Sequence, residues 1–376
     1  MNKKVAIILV NYLDYAERFL DECLAGLRAQ DYQGEMKIFL VDNGSTDKSF
    51  NYLLKKVPEA EFVLNKSNDG FARGNNDGMK MALAQGFDYI FLLNEDTVIE
   101  QNCISELVKV FENENWIPDQ VRDDNPLAGS GRVIGAVQAR IMLHPQTNKI
   151  NSLGNTTHFL GFGYCESYGQ TLSLRAERSN LESNAQNTGL PRSAAADLAM
   201  TVKDICYPSG AAVMFRASVL KKIGLFDEEF WMYNEDQDLG WRVWLAGFRC
   251  VLAPQAIVYH KYEFNRSIKK YYWMDRNRII AIIKNYHWAT LLLILPAFLV
   301  MELGLVLFSA RSGWFKEKIK VWQYFLNPAN WVYLHRARQE TQALRQVQDR
   351  DIIPMISGEI WYQEIDDIKL RIVNPV

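Results

Sequence analysis

Two acidic clusters stand where apolar chain gives way to polar chain. The first follows a buried-looking run in "YIFLLNEDTVIE", from Tyr89 to Glu100, which sets Asn94, Glu95 and Asp96 between Leu93 and the apolar pair Val98 and Ile99. Adjacent carboxylates repel and resist burial, so they add little to a fold by themselves. At a strand end they point to a cationic ligand. The second cluster, in "FWMYNEDQDLGWRVWLAGF", puts Glu235, Asp236 and Asp238 at the start of a predicted helix. Unsatisfied N–H groups and the helix dipole favour anions there. Capping alone is the competing explanation for these three acids.

The elements that must carry these groups alternate in type. "VAIILV" (Val5 to Val10) is continuous and β-branched, as expected of a strand covered on both faces, and Asp14 to Gln30 follows with an apolar stripe at helical spacing. "KIFLV" then precedes "DKSFNYLLKKV", with Asp47 as the expected cap. A strand near Glu61 to Asn65, a helix around Asn76 to Gln85 and the strand ending at Asn94 complete four strands with three crossovers. Such a pattern predicts a Rossmann-like, mostly parallel sheet flanked by helices.

Ligands in these sheets bind beyond the carboxyl ends of the strands. The four predicted ends are "VNY", "VDNGSTD", "NKSNDGFARGNNDG" and "LNEDT", all polar, amide-rich or acidic. Neither GxGxxG after the first strand nor a GxxxxGK[ST] loop is present, so a bound diphosphate needs another counter-charge. A divalent cation held by Asp96 would supply it.

Composition removes several alternatives. The 376 residues are 48% hydrophobic and 23% charged, enough to bury a sizeable core, and 42 basic against 44 acidic side chains leave a net charge of −2. That balance offers no field to attract nucleic acid. Five scattered cysteines without a CxxC pair argue against a disulfide framework or a structural zinc site.

The ordered set "VAIILVNY", "VDNGSTD", "NDGFARGNN", "LLNEDT", "YPSGAAVMF", "MYNEDQDLGWRVWLAGF" and "APQAIVYH" resembles a family 2 glycosyltransferase of the GT-A fold, of the rhamnosyltransferase-like kind that builds bacterial surface polysaccharide. The resemblance covers most of residues 1 to 262. It implies donor binding by Asn11, Asp42, Asn43, Asn68, Gly70, Asn75, Asn94 and Asp96, with Asp96 in a DXD-type motif whose first position is here Asn94. It implies Asp236 as the base, with Glu235 beside it, His260 with Asp96 at an Mg²⁺ or Mn²⁺ site, and Gly210 and Trp231 toward the acceptor. One base without a separate nucleophile implies inversion. The expected partners are a dTDP-, UDP- or GDP-linked sugar and a saccharide or lipid-linked saccharide acceptor. A degenerate, non-catalytic carbohydrate-binding protein, or a membrane assembly scaffold, is the alternative.

Bland explanations compete at several of these positions. "DNGSTD" alone is an acceptable turn and helix cap, a lone His after a strand is often satisfied structurally, and Trp241 and Trp244 read as core.

The expected division is a GT-A domain over 1–265, with polar insertions at about 112–131 and 173–200, and a helical, membrane-associated region over 266–376. The first insertion is expected to be dispensable and the second to border the acceptor site. From Trp288 to Ala310 the chain is apolar apart from Glu302 and is interrupted by Pro296; as a helix it would extend about 34 Å. Arg276, Arg278 and Lys284 precede it, and Arg311, Lys316, Lys318 and Lys320 follow, so both flanks are basic. This favours a kinked, re-entrant or interfacial hairpin over a simple span, at the cytoplasmic side of the inner (plasma) membrane, with Tyr271, Tyr272, Trp273, Trp288, Trp314 and Trp322 at headgroup depth. A soluble helical subdomain is the alternative.

Overall fold

A computed structural model describes residues 2–113, 131–165, 167–172, 202–261 and 268–359. Most of both polar insertions lies outside these residues. Strands β1 (Val5–Asn11), β2 (Met36–Asn43), β3 (Glu61–Asn65) and β4 (Tyr89–Leu93) are parallel and adjacent in the order β3-β2-β1-β4. Their crossovers are α1 (Asp21–Arg28, after a π-helical turn at Ala16–Leu20), α2 (Asp47–Lys56) and α3 (Gly70–Ala84). The β–α alternation of the sequence is thus realised. Two details differ: Thr46, not Asp47, caps α2 by accepting from the Ser49 N–H, and α3 begins six residues earlier than the apolar stripe suggests.

Beyond β4 the sheet becomes mixed. After β5 (Thr97–Ile99) and α4 (Cys103–Glu112) come β6 (Ile134–Leu143), β7 (Ile150–Ser152), β8 (Asn155–His158), β9 (Gly163–Cys165), β10 (Lys203–Asp204) and β11 (Ala212–Arg216). Helices α5 (Ala217–Ile223) and α6 (Glu235–Leu245) lead to β12 (Arg249–His260). β11 runs antiparallel between β4 and β6, while β12 pairs parallel with β6 and antiparallel with β5. Alternate residues of β1 enter opposite cores: Val5, Ile7 and Leu9 join one, Ala6 and Ile8 the other. That is the physical reason its apolar run is continuous.

The remaining chain forms α7 (Lys270–Asn285), α8 (Trp288–Arg311), α9 (Phe315–Leu326), α10 (Pro328–Ala343), α11 (Asp349–Ile352) and β13 (Ile356–Ser357), the last pairing with β8. Ile282, Tyr286, Val347 and Ile352 from this region are buried in the same core cluster as Ile8, Phe39 and Trp244. The C-terminal helices therefore share a core with the sheet.

Several expectations for the apolar segment need correction. α8 passes through Pro296 as a single 24-residue helix. Glu302 within it pairs with Arg278 and with Lys318 Nζ at 2.6 Å, and Lys318 also meets Asp275 at 2.7 Å. Arg276, Arg278, Lys284 and Lys318 are all buried, so four of the seven flanking cations serve internal ion pairs and hydrogen bonds instead of a solvated fringe. An uncompensated charge in a dry setting costs several kcal/mol, which is why these cations occur opposite Glu229, Glu302, Asp275, Asp227 and Asp238. Trp314 is buried and stacks on Tyr271 at 5.1 Å, so it is not free to sit among headgroups, while the partly buried Trp273 stacks on Trp231 at 4.8 Å. Trp288 and Trp322 remain exposed.

Candidate active site

Parallel register gathers the first group of polar residues at one sheet end. Asn11 lies opposite Asp42, and Asn43 opposite Asn65. Asn11 donates to Asp42 at 3.4 Å and accepts from the Ala16 N–H at 3.0 Å, while Asp42 Oδ1 also accepts from the Ser45 N–H at 3.2 Å. The turn-capping role of Asp42 is therefore real. Asn43 organises the next loop: its amide nitrogen donates to Asn68 Oδ1 and to the Gly70 carbonyl, and its oxygen accepts from Asn65 and from the Asp69 N–H. At Gly70, φ is +88° and a Cβ would come within 2.5 Å of the Trp231 ring, so only glycine fits this close approach. Asn75 sits on α3, not in a loop, and spends its amide on the Phe71 carbonyl.

The end of β4 is where the two acidic clusters meet. Leu93 pairs with Ala212, and the Asn94 N–H donates to the Ala211 carbonyl at 3.0 Å. One residue earlier in the chain, the Gly210 N–H donates to Asp236 Oδ2 at 3.1 Å. Asp236 Oδ1 accepts from the Gln237 N–H at 2.8 Å. Sequence positions 94–96 and 236 are thus joined through the short segment 210–212. Surrounding protein pushes the Asp236 carboxyl up to about 6, with the two N–H donors pulling the other way. Glu235 is buried, its Oε2 has no partner, and burial with the neighbouring Asp236 raises it well above the carboxylate range. Asp238 is not part of this surface: Arg242 at 2.9 Å, Lys284 at 3.1 Å and Asn285 at 3.0 Å hold it in the core.

Across the β5–β12 ladder, Thr97 pairs with His260, which brings His260 Nε2 to 3.2 Å from Asp96 Oδ1. His260 Nδ1 lies 3.0 Å from Asn151 Oδ1. An Nδ1–H donated to Asn151 Oδ1 would leave Nε2 presenting its lone pair toward Asp96. Two cis ligands of an octahedral cation with bonds of about 2.1 Å stand roughly 3 Å apart, so this pair fits a hard divalent ion. Among the described residues no group of three or more His, Cys, Asp or Glu side chains could hold a metal, so protein would supply two ligands here. Glu95, adjacent to Asp96, is 3% exposed with neither carboxylate oxygen partnered, and burial plus Asp96 and Asp42 lifts it to about 8.

The reading of the sequence missed Asn151, Gln237, Arg276 and Asn277. Trp231 is placed between the donor-side loop and Trp273, and its carbonyl accepts from the Ala72 N–H. It opens a run of left-handed residues: φ is +59° at Trp231, +69° at Tyr233 and +65° at Asn234. Asn277 Nδ2 contacts the carbonyls of Phe230, Met232 and Tyr233 at 2.8, 2.9 and 2.7 Å. The consecutive polar residues "DRNR" within an otherwise apolar helical pattern were the available signal.

Known proteins carry the same pattern. Residues 5–165 match the model of glycosyl transferase family 2, and residues 169–335 that of glycosyl transferase family group 2. An N-acetylglucosaminyl-diphospho-decaprenol L-rhamnosyltransferase of Mycobacterium tuberculosis is 44% identical over 236 residues, covering 60% of this chain and 66% of that protein, just under two thirds of its length. An N-acetylglucosaminyltransferase of Azorhizobium caulinodans is 30% identical over 111 residues, or 28% of this chain and 27% of its own. The crystal structure of GalNAc-T7 with UDP, GalNAc and Mn2+ superposes with a TM-score of 0.50 at 11% identity, over 76% of this chain and 48% of that one, a likeness of fold alone. With its mixed, mostly parallel GT-A sheet and both family models matched in succession, the chain belongs to family 2 of the glycosyl transferases.

Proposed function

We propose that this chain transfers a sugar, with inversion and with a divalent cation, from a nucleotide-sugar donor to a lipid-linked saccharide. The observation that carries the reading is the Asp236 carboxylate, raised to about 6 yet anchored by two N–H groups, one hydrogen bond from the segment that also holds the Asn94–Asp96 loop. A base of that strength is ionised at neutral pH and still able to take a proton from an acceptor hydroxyl. Inversion follows from a single displacement with no covalent intermediate. Of the two neighbouring acids, Asp238 is paired with Arg242 and Lys284, and burial followed by Asp236 raises the Glu235 carboxyl.

Asp96 and His260 would hold Mg²⁺ or Mn²⁺. The bound ion would neutralise the charge of the departing nucleoside diphosphate. Asn151 keeps His260 in the required tautomer, and Asp42, Asn43, Asn68 and Gly70 shape the side on which a nucleotide would lie. The nearest support for the acceptor class is the Mycobacterium tuberculosis relative, whose name specifies a decaprenol-linked saccharide.

Membrane contact at the cytoplasmic face belongs to the same proposal. Leu292, Leu293, Leu299, Val300, Leu303 and Leu307 of α8 are 59–79% exposed, and the helix has a mean hydropathy of 2.6 over its most apolar stretch. Glu302 ties the opposite side of α8 to α7 and α9, which supports a helix lying in the interface over one crossing it. The GT-A unit would be 1–265 with the helical region 266–376 as its membrane side. Nucleoside diphosphate release from a panel of dTDP-, UDP- and GDP-linked sugars, with Mg²⁺ or Mn²⁺ and with chelator, tests the activity. Donor-dependent release abolished by chelator supports it, and donor binding without turnover selects the non-catalytic alternative.

A further inference from the structure

The turn from Trp231 to Asn234 holds three non-glycine residues in the left-handed region immediately before Glu235 and Asp236. Such a conformation is costly for a residue with a side chain and persists only where its surroundings over-determine it. Those surroundings come from α7. Asn277 is completely buried, and its amide nitrogen meets the Phe230, Met232 and Tyr233 carbonyls. Its oxygen accepts from Arg276 Nε at 3.0 Å, which fixes the amide with its nitrogen toward the turn. Arg276 also donates to the Glu229 carbonyl, and its guanidinium lies 4.6 Å from the Trp273 ring that stacks on Trp231. Arg278, the residue after Asn277, turns away to Glu302 of α8.

We infer that Asn277 is a positioning residue for glycosyl transfer: from a helix outside the catalytic sheet, its amide holds the left-handed turn that sets Asp236 against Gly210. The inference rests on the proposed transferase activity. It places the limit of the catalytic unit beyond α7, so that the sheet portion alone would lack an ordered base. Asn277→Ala and Asn277→Ser both remove the amide that meets the three carbonyls.

The test uses the full chain as wild type, Asn277→Ala and Asn277→Ser, with the sugar nucleotide that wild type turns over in the donor panel. The expected result is a kcat lowered about 100-fold with donor KM nearly unchanged. The acid limb of the pH profile should move below its wild-type position near 6, as Asp236 gains solvent. Amide exchange should rise across 230–236 and stay constant in β1 and β4. An unchanged kcat and pH limb in either folded variant overturns the inference, as does exchange that rises equally throughout the sheet. If neither variant folds, Arg276→Lys, which loosens the amide's anchor, must reproduce the selective rise at 230–236, and its failure to do so counts against the inference. A wild type that binds but never turns over a donor defeats the transferase reading first, and this inference with it. Wild-type turnover with unaltered variants defeats this inference alone.

Discussion

His260 Nε2 lies 3.2 Å from Asp96 Oδ1, and the far nitrogen of the same ring is held by Asn151 at 3.0 Å. Three chain segments, β5's approach, β12 and β7, therefore converge on one potential ligand pair. Residues that orient a ligating imidazole ordinarily affect metal affinity about 10- to 100-fold when removed. Asn151→Ala is expected to weaken Mn²⁺ binding by that amount, and Asp96→Asn more strongly. Calorimetric titration of Mn²⁺ in the presence of a nucleoside diphosphate checks both. Equal affinities in wild type and Asp96→Asn would remove Asp96 from the site.

The acid limb of transfer should follow Asp236. Its carboxyl is raised to about 6 by burial, so the ionised, proton-accepting form is lost as pH falls through that value. Turnover measured from pH 4.5 to 8 is expected to climb tenfold per unit below the limb and to level above it. A limb near 4 would mean that the working base sits in water.

Glu95 should make the fold pH-sensitive in the opposite sense from a salt-bridged acid. Its folded value of about 8 exceeds the ordinary 4.5, so the folded chain binds a proton that the unfolded chain has released. Stability from this group is complete below about pH 4.5 and declines as pH rises through 8. In Glu95→Gln that decline is absent, and the melting temperature of the variant relative to wild type should increase between pH 5 and pH 9. A difference that stays constant across this window contradicts the burial of an uncompensated carboxyl.

Much of the sheet and its motifs could be read from the chain, because β-strands buried on both faces leave long apolar runs and polar strand ends are conspicuous against them. The approach of Asp42 and Asp96 to Glu95, and the link from the end of β4 through residues 210–212 to Asp236, follow from that topology. What escaped were residues whose role lies in tertiary partners. Asn277 looks like an ordinary polar residue in a helix, and Asn151 sits on a three-residue strand with no periodic signal. Arg276, Arg278, Lys284 and Lys318 resemble a membrane flank by sequence distance alone, since their carboxylate or carbonyl partners are between 3 and 118 residues away.

Glu302 should act as the lock between α8 and the rest. Removing it leaves Arg278 and Lys318 short of counter-charge in a dry setting, and breaking such a buried pair costs about 3–5 kcal/mol. Glu302→Ala is expected to lose that much stability in chemical denaturation. Leu293→Ser with Val300→Ser, on the exposed face, should instead leave stability intact while weakening flotation with anionic vesicles. Vesicle binding unchanged by the double serine variant would remove α8 as the contact.

Replacing Asp236 by Asn keeps its shape and alters only its ability to take a proton. Transfer by Asp236→Asn, followed beside calorimetric donor binding, is the most direct measurement of the account. A rate lowered by about 10²–10⁴ with donor affinity intact is the expected result. Transfer at the wild-type rate, from a variant that binds donor normally, would contradict it.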